Sequence, residues 1–150
     1  MSMPMATGNA RERPMLIAEL AGAAAGLVAW LVLRALRFDR ITAIVRWLIN
    51  ARPRHASPSE IARTLRGIDA GARLVPVRVA CLERSLAGVL LLAARRRGVT
   101  WQMGIRTPPL ASHAWLSDPD GEPIGEASST MQYRTILKIS PRQQTGEARV

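Results

Sequence analysis

Residues 81–98 read Cys-Leu-Glu-Arg-Ser-Leu-Ala-Gly-Val-Leu-Leu-Leu-Ala-Ala-Arg-Arg-Arg-Gly, and this stretch decides the fold. Leu82, Leu86, Val89, Leu90 and Ala93 recur at helical spacing and form one apolar stripe, so the spacing predicts a buried helix. Arg95, Arg96 and Arg97 fall in its last turn, where cations suit the helix dipole. Gly98 is the expected C-terminal cap. Cys81, the only cysteine in the chain, stands in the first turn. The partial positive charge at a helix start favours a thiolate over a thiol.

Past Gly98 the periodicity changes to that of strands. Residues 99–106 alternate apolar and polar, 107–111 form a loop with two prolines, and 113–117 (HAWLS) make a second strand. Asp118-Pro119-Asp120-Gly121 is a turn by composition, 122–126 return along it, and 133–139 form a last strand. Upstream of Cys81 the chain reads as helices. Pro14 sits in the first turn of a helix running to about Arg37, and a second helix covers 39–50 with Asp39 as its N-cap. Residues 51–56 are a basic, proline-broken connection. Ser57-Pro58-Ser59-Glu60 has the pattern of a capping box with proline at the first helical position, opening a third helix to about Gly67. Residues 74–79 approach Cys81 as a short extended segment.

Helices followed by an antiparallel hairpin system imply an α+β fold, with a small sheet packed on the Cys-bearing helix. The expected organisation is a disordered tail (1–13), an N-terminal helical region (14–56), a core (57–139) and a polar tail (140–150).

The chain has 150 residues, enough for one domain with a real core. Its net charge of +10 calls for an acidic partner: nucleic acid, an anionic membrane, or an acidic peptide or protein. One cysteine excludes an internal disulfide and every multi-cysteine zinc or redox motif, and fits a reducing, cytoplasmic setting. The two histidines, His55 and His113, are too few for a His-based metal site. Residues 15–33 are almost wholly apolar and close to the length of a membrane span. Glu19 within them, many alanines, and the amphipathic segment that follows favour a buried or peripheral helix, with membrane contact through 15–33 left open. Gly22 and Gly26 form a GxxxG pair, a device for close helix contact.

Two residues carry candidate chemistry. Cys81 at a helix start and His113 at the head of a later strand form a potential nucleophile–base pair, the arrangement of papain-like and transglutaminase-like cysteine enzymes. A carboxylate should orient the imidazole, and Asp118, Asp120, Glu122 and Glu126 are the candidates. Asp118 and Asp120 sit in the turn, whereas Glu126 lies across the hairpin from His113. Arg84 reads as a solvated or salt-bridged side chain, Ser85 as a small packing residue, and Trp115 as core on the same strand face as His113. Pro108, Pro109 and Leu110 could form a lip over a substrate.

Cys-Leu-Glu-Arg-Ser-Leu-Ala at 81–87, Leu91-Leu92, Arg95 to Val99, Gly104-Ile105 and His113-Ala114-Trp115 together resemble the leader peptidases of lasso-peptide biosynthesis. These are transglutaminase-like cysteine proteases, and the resemblance covers about residues 57–139. It implies a Cys–His–Asp triad. Cys81 and His113 match its first two members, and the aspartate position, counted from Gly121, falls on Glu126. Here the chain departs from the pattern, with glutamate for aspartate and an extra residue in the turn. The resemblance further implies a stand-alone peptidase with no cofactor. It would act on a precursor peptide delivered by a separate winged-helix leader-recognition protein, ahead of a macrolactam-forming lasso cyclase. The contrasting expectations are a non-enzymatic basic protein that binds a membrane surface or nucleic acid, and an acyltransferase with the same triad. Against nucleic acid, the chain has no aromatic-interleaved basic strand and no helix-turn-helix spacing.

Overall fold

The computed structural model describes residues 12–52 and 54–142. Among the described residues four helices come first: α1 (Glu12–Ala35), α2 (Phe38–Asn50), α3 (Pro58–Gly71) and α4 (Cys81–Ala94). Three strands follow, β1 (Thr100–Arg106), β2 (Ala111–Ser117) and β3 (Arg134–Ile139), with a 3₁₀ turn at Ser128–Gln132 before the last. The sheet is antiparallel in the order β2-β1-β3, so the fold is α+β. Residues 1–11 and 143–150, which hold most of both expected tails, lie outside the described residues.

One core joins all these elements. Ala25 and Ala29 of α1, Ile41, Val45 and Ile49 of α2, and Ile61, Leu65 and Ile68 of α3 are buried in it. Leu86, Val89 and Leu92 of α4 meet Trp101, Leu116 and Ile139 of the sheet there. Seven residues of α4 are buried, including Ser85, Ala87 and Gly88 beside the expected stripe. α4 is thus enclosed between the other helices and the sheet, a more central place than a one-faced amphipathic helix takes.

α1 lies against α3 at a glycine crossing. A Cβ on Gly22 would stand 2.8 Å from Ile68 Cα and closer still to the Gly67 carbonyl. Gly26, the other member of the GxxxG pair, faces only the side chain of Val79. The pair is therefore used at one position, inside this chain. Away from α3, Leu16, Ile17, Leu20, Leu27, Val28 and Leu31 are exposed. By length and composition α1 is able to cross a membrane, yet its inner face is held in the core.

Several local expectations are corrected. Asp39 does not cap α2: the cap position is Arg37, and Asp39 is a first-turn residue paired with the Arg37 guanidinium at 3.7 Å. α1 starts at Glu12 and stops at Ala35, short of Arg37. α3 runs past Gly67 to Gly71, and both glycines lie inside the helix where it packs against α1. Residues 74–79 form no strand. The capping box at α3 is present, with Ser57 Oγ accepting the Glu60 N–H and Glu60 Oε2 accepting the Ser57 N–H.

α4 ends at Ala94, so Arg95 to Arg97 follow the helix and do not form its last turn. Arg96, with φ of 60°, takes the left-handed position expected of Gly98. The Arg96 N–H donates to Ala93 O at 3.0 Å and the Arg97 N–H to Leu92 O at 2.9 Å, the paired bonds of a Schellman closure. Gly98 is needed for space instead: a Cβ there would stand 2.8 Å from Pro141 Cγ.

Candidate active site

The site is assembled at the N-terminal end of α4. Cys81 is the first residue of that helix and is partly exposed. The preceding residue, Ala80, offers no side-chain cap, and Glu83 Oε2 accepts the Ala80 N–H at 3.2 Å. First-turn N–H groups therefore keep their donor capacity beside the thiol.

Two contacts fix the sheet on this helix. Trp101 Nε1 of β1 donates to Ser85 Oγ at 2.9 Å, and Ser85 Oγ donates to Leu82 O at 3.1 Å. Ser85 is thus the hydrogen-bond anchor of a buried indole, a larger role than packing. At Gly88 a Cβ would stand 2.6 Å from Leu116 Cδ1, so this glycine gives the buried Leu116 side chain of β2 its place against α4.

β2 carries His113, opposite Gly104 of β1. A Cβ on Gly104 would lie 2.9 Å from the Trp115 ring and 3.0 Å from Tyr133 Cβ, so this glycine makes room for both aromatics. They flank the imidazole, Trp115 stacked at 5.8 Å and 20° and Tyr133 tilted at 5.3 Å and 45°. Trp115 is buried, and its Nε1 has no hydrogen-bond partner among the described residues.

His113 Nε2 lies 2.8 Å from Glu126 Oε2. An ionised carboxylate can only accept, so it pairs with a protonated Nε2, and in a neutral imidazole that tautomer leaves the lone pair on Nδ1. Glu126 has only 9% of its side chain exposed and His113 has 21%. Among the described residues no hydrogen bond joins Cys81 Sγ to the ring. In resting enzymes such bonds are often long and tighten with substrate.

The other Glu126 oxygen, Oε1, accepts from Arg84 Nη1 at 2.8 Å. Arg84 stands one helical turn after Cys81, on neighbouring surface of α4. Its Nε and Nη2 also grip Asp69 of α3, at 2.6 and 3.0 Å, and Nη2 reaches Gly125 O at 3.3 Å. Burial alone would lower the Arg84 pKa, but the hydrogen bonds and charge of Asp69, then those of Glu126, outweigh it and hold the guanidinium above its ordinary value. The chain Cys81-turn, Arg84, Glu126, His113 ties the helix start to the histidine strand.

Among the four carboxylates considered from the sequence, Glu126 is the one bonded to His113. Asp118 Oδ1 is engaged by the N–H groups of Asp120 and Glu122, at 3.0 and 2.9 Å, and organises the turn. Asp120 and Glu122 are exposed. The segment 122–126 is not a strand, contrary to expectation. It makes one isolated bridge, Ser117 to Pro123, and then bends through Gly125, whose φ of 67° is left-handed. Leu110 is 77% exposed in the proline loop. Sequence reasoning missed Asp69 and Tyr133 and gave Arg84 no place in the site. Only Arg84 left a trace, its one-turn spacing from Cys81.

A thiol at a helix start with a carboxylate-oriented imidazole can form and hydrolyse a thioester. The family model for the transglutaminase-like superfamily matches residues 24–138, from within α1 to the penultimate residue of β3. No curated protein and no solved structure matches the chain. The match covers well over half of the chain and contains Cys81, His113 and Glu126, so the chain belongs to the transglutaminase-like superfamily.

Proposed function

We propose that this protein is a cysteine peptidase that removes the leader from a lasso-peptide precursor. The observation that carries the peptidase reading is the 2.8 Å contact between His113 Nε2 and Glu126 Oε2, held beside the helix that begins with Cys81. The finer assignment draws on the combination of Cys-Leu-Glu-Arg-Ser-Leu at 81–86 with His-Ala-Trp at 113–115.

Cys81 Sγ attacks the carbonyl carbon of the last leader residue as His113 Nδ1 takes the thiol proton. The oxyanion meets the backbone N–H of Cys81 at the helix start. Collapse breaks the C–N bond, and His113 returns its proton to the departing amine of the core peptide. Water then attacks the thioester, losing a proton to His113, and releases the leader carboxylate and the free thiol. Glu126 keeps Nε2 protonated and Nδ1 aimed at the reaction throughout. A winged-helix recognition protein brings the precursor in trans, and a lasso cyclase consumes the trimmed product.

The test is cleavage of the cognate precursor, with the recognition protein present, read by mass spectrometry for wild type and Cys81→Ala. Scission at one bond, lost in the variant, supports the reading. Equal scission by both removes Cys81 from the mechanism. No scission by either, with the partners shown to bind, favours a basic binding protein. An added amine that captures the acyl group in place of water would identify an acyltransferase.

We further propose that α1 rests along an anionic membrane surface. Its exposed apolar residues from Leu16 to Leu31 form one face, closed by Arg13 and Arg34 in a chain of net charge +10. An interfacial helix of this kind binds through buried apolar area plus attraction to acidic headgroups. Wild type should float with vesicles containing phosphatidylglycerol, and less with pure phosphatidylcholine. Leu20→Glu should abolish flotation. Equal flotation of the variant, or self-association through this face in place of vesicle binding, would overturn the proposal.

A further inference from the structure

We infer that Arg84 is a positioning residue of the proposed peptidase, splitting its guanidinium between Asp69 and Glu126 and so fixing the aim of the carboxylate that orients His113. The inference rests on the peptidase reading for its kinetic consequence, but its geometric content stands on the contacts alone.

Glu126 divides its two oxygens, Oε1 to Arg84 at 2.8 Å and Oε2 to His113 at 2.8 Å. The terminal torsion of a glutamate is broad and weakly restrained. Here it is held from both ends. The backbone does not hold it, since Glu126 belongs to no strand and follows Gly125 in a left-handed conformation. Arg84 supplies what a ladder would otherwise give, bonding both the Glu126 side chain and the Gly125 carbonyl that precedes it.

Asp69 completes the device. Its two oxygens take Nε and Nη2 in the fork geometry that fixes a guanidinium plane. Nη1 is left to point at Glu126. A lysine would restore the charge but not this plane. The charged and titratable groups around the carboxylate are Arg84 from α4, Asp69 from α3 and His113 from β2. Tyr133 lies beyond the imidazole, covered by Arg106 of β1 at 5.2 Å.

A merely structural ion pair would change stability and leave the ring alone. The experiment therefore follows the ring directly. Nitrogen-15 NMR of the His113 imidazole reports its tautomer, with His55→Gln used to assign the signal. The Nε2–H tautomer should dominate in wild type. In folded Arg84→Met it should give way to a mixture, and kcat should fall about 100-fold with KM little changed, the scale of loss for a misplaced catalytic group. Arg84→Lys should recover only part of both. An Arg84→Met protein with the wild-type tautomer, or with wild-type kcat, overturns the inference. If Arg84→Met does not fold, Arg84→Lys decides it: a shifted tautomer balance and reduced kcat there support the inference, and wild-type values of both overturn it. Should wild type cleave no precursor at all, the tautomer measurement still tests the positioning role, so failure of the peptidase reading is distinguished from failure of this one.

Discussion

Gly22 and Gly26 stand one turn apart on α1, and the same substitution should have opposite effects at the two. Replacing glycine by alanine inside a helix gains up to about 1 kcal/mol from lost backbone freedom in the unfolded chain. At Gly26 the new methyl would stand 3.3 Å from Val79 Cγ2, the tip of a side chain able to give by a few tenths of an ångström. Most of the gain should survive, and with about 2–4 °C per kcal/mol for a chain of this size the melting temperature should rise by about 1–3 °C. At Gly22 the methyl meets backbone, the Gly67 carbonyl and Ile68 Cα, the latter at 2.8 Å. Backbone cannot rotate away, so α1 and α3 must separate. Such overpacking typically costs about 1–3 kcal/mol, and here the upper end applies because the obstacle is rigid. After the helical gain is subtracted, Gly22→Ala should still lose about 2 kcal/mol and about 4–8 °C. Urea titration with matched thermal scans measures both. Equal shifts of the same sign would show that α1 does not cross α3 at Gly22, and the glycine argument would fail.

The other predictions concern the site and the helix ends. Glu126→Gln keeps the shape but removes the charge that fixes Nε2–H, so acylation measured in a single turnover should slow by on the order of 10³-fold; a loss under about threefold would remove Glu126 from the mechanism. Arg96→Gly relieves a left-handed non-glycine residue and should stabilise by up to about 1 kcal/mol in denaturant titration; destabilisation would refute the Schellman assignment. The Glu60 pKa is lowered from 4.5, first by the Ser57 N–H bond and also by Arg97, against a raising effect of desolvation. A lowered carboxylate binds its proton more weakly when folded, so it stabilises above 4.5 and that contribution disappears as pH falls through the lowered value. Glu60→Gln should therefore melt below wild type near neutral pH and converge with it in acid; a gap that persists in acid would refute the assignment.

How far the molecule could be read from its sequence depends on the range of each interaction. The capping box at Ser57 and Glu60 is legible because both partners lie within one turn. The helix beginning at Cys81 and the paired strands β1 and β2 are legible from apolar periodicity. The α2 start is misread because Asp39 is a good capping residue by type, while the backbone turns two residues earlier, at Arg37. Gly98 is misread because glycine is the usual left-handed residue, whereas here the Schellman bonds form at Arg96 and glycine serves space. The Arg84 bridge joins residues far apart in sequence, from Asp69 through α4 to Glu126. No local pattern encodes such a meeting; it exists only once α3, α4 and the returning loop share one core.

The segment from Gly121 to Glu126 has a consequence for how this chain can change over generations. In a strand, adding or removing one residue turns every later side chain to the opposite face. Beyond the bridge between Ser117 and Pro123 no ladder counts the residues up to Glu126, and its carboxylate is caught from the helix side by Arg84. A residue gained or lost after that bridge, and a side chain one methylene longer or shorter, can then trade against each other while the oxygen meets the same imidazole. Length between the bridge and Glu126 becomes a tolerant variable, so long as the arginine remains to catch the acid.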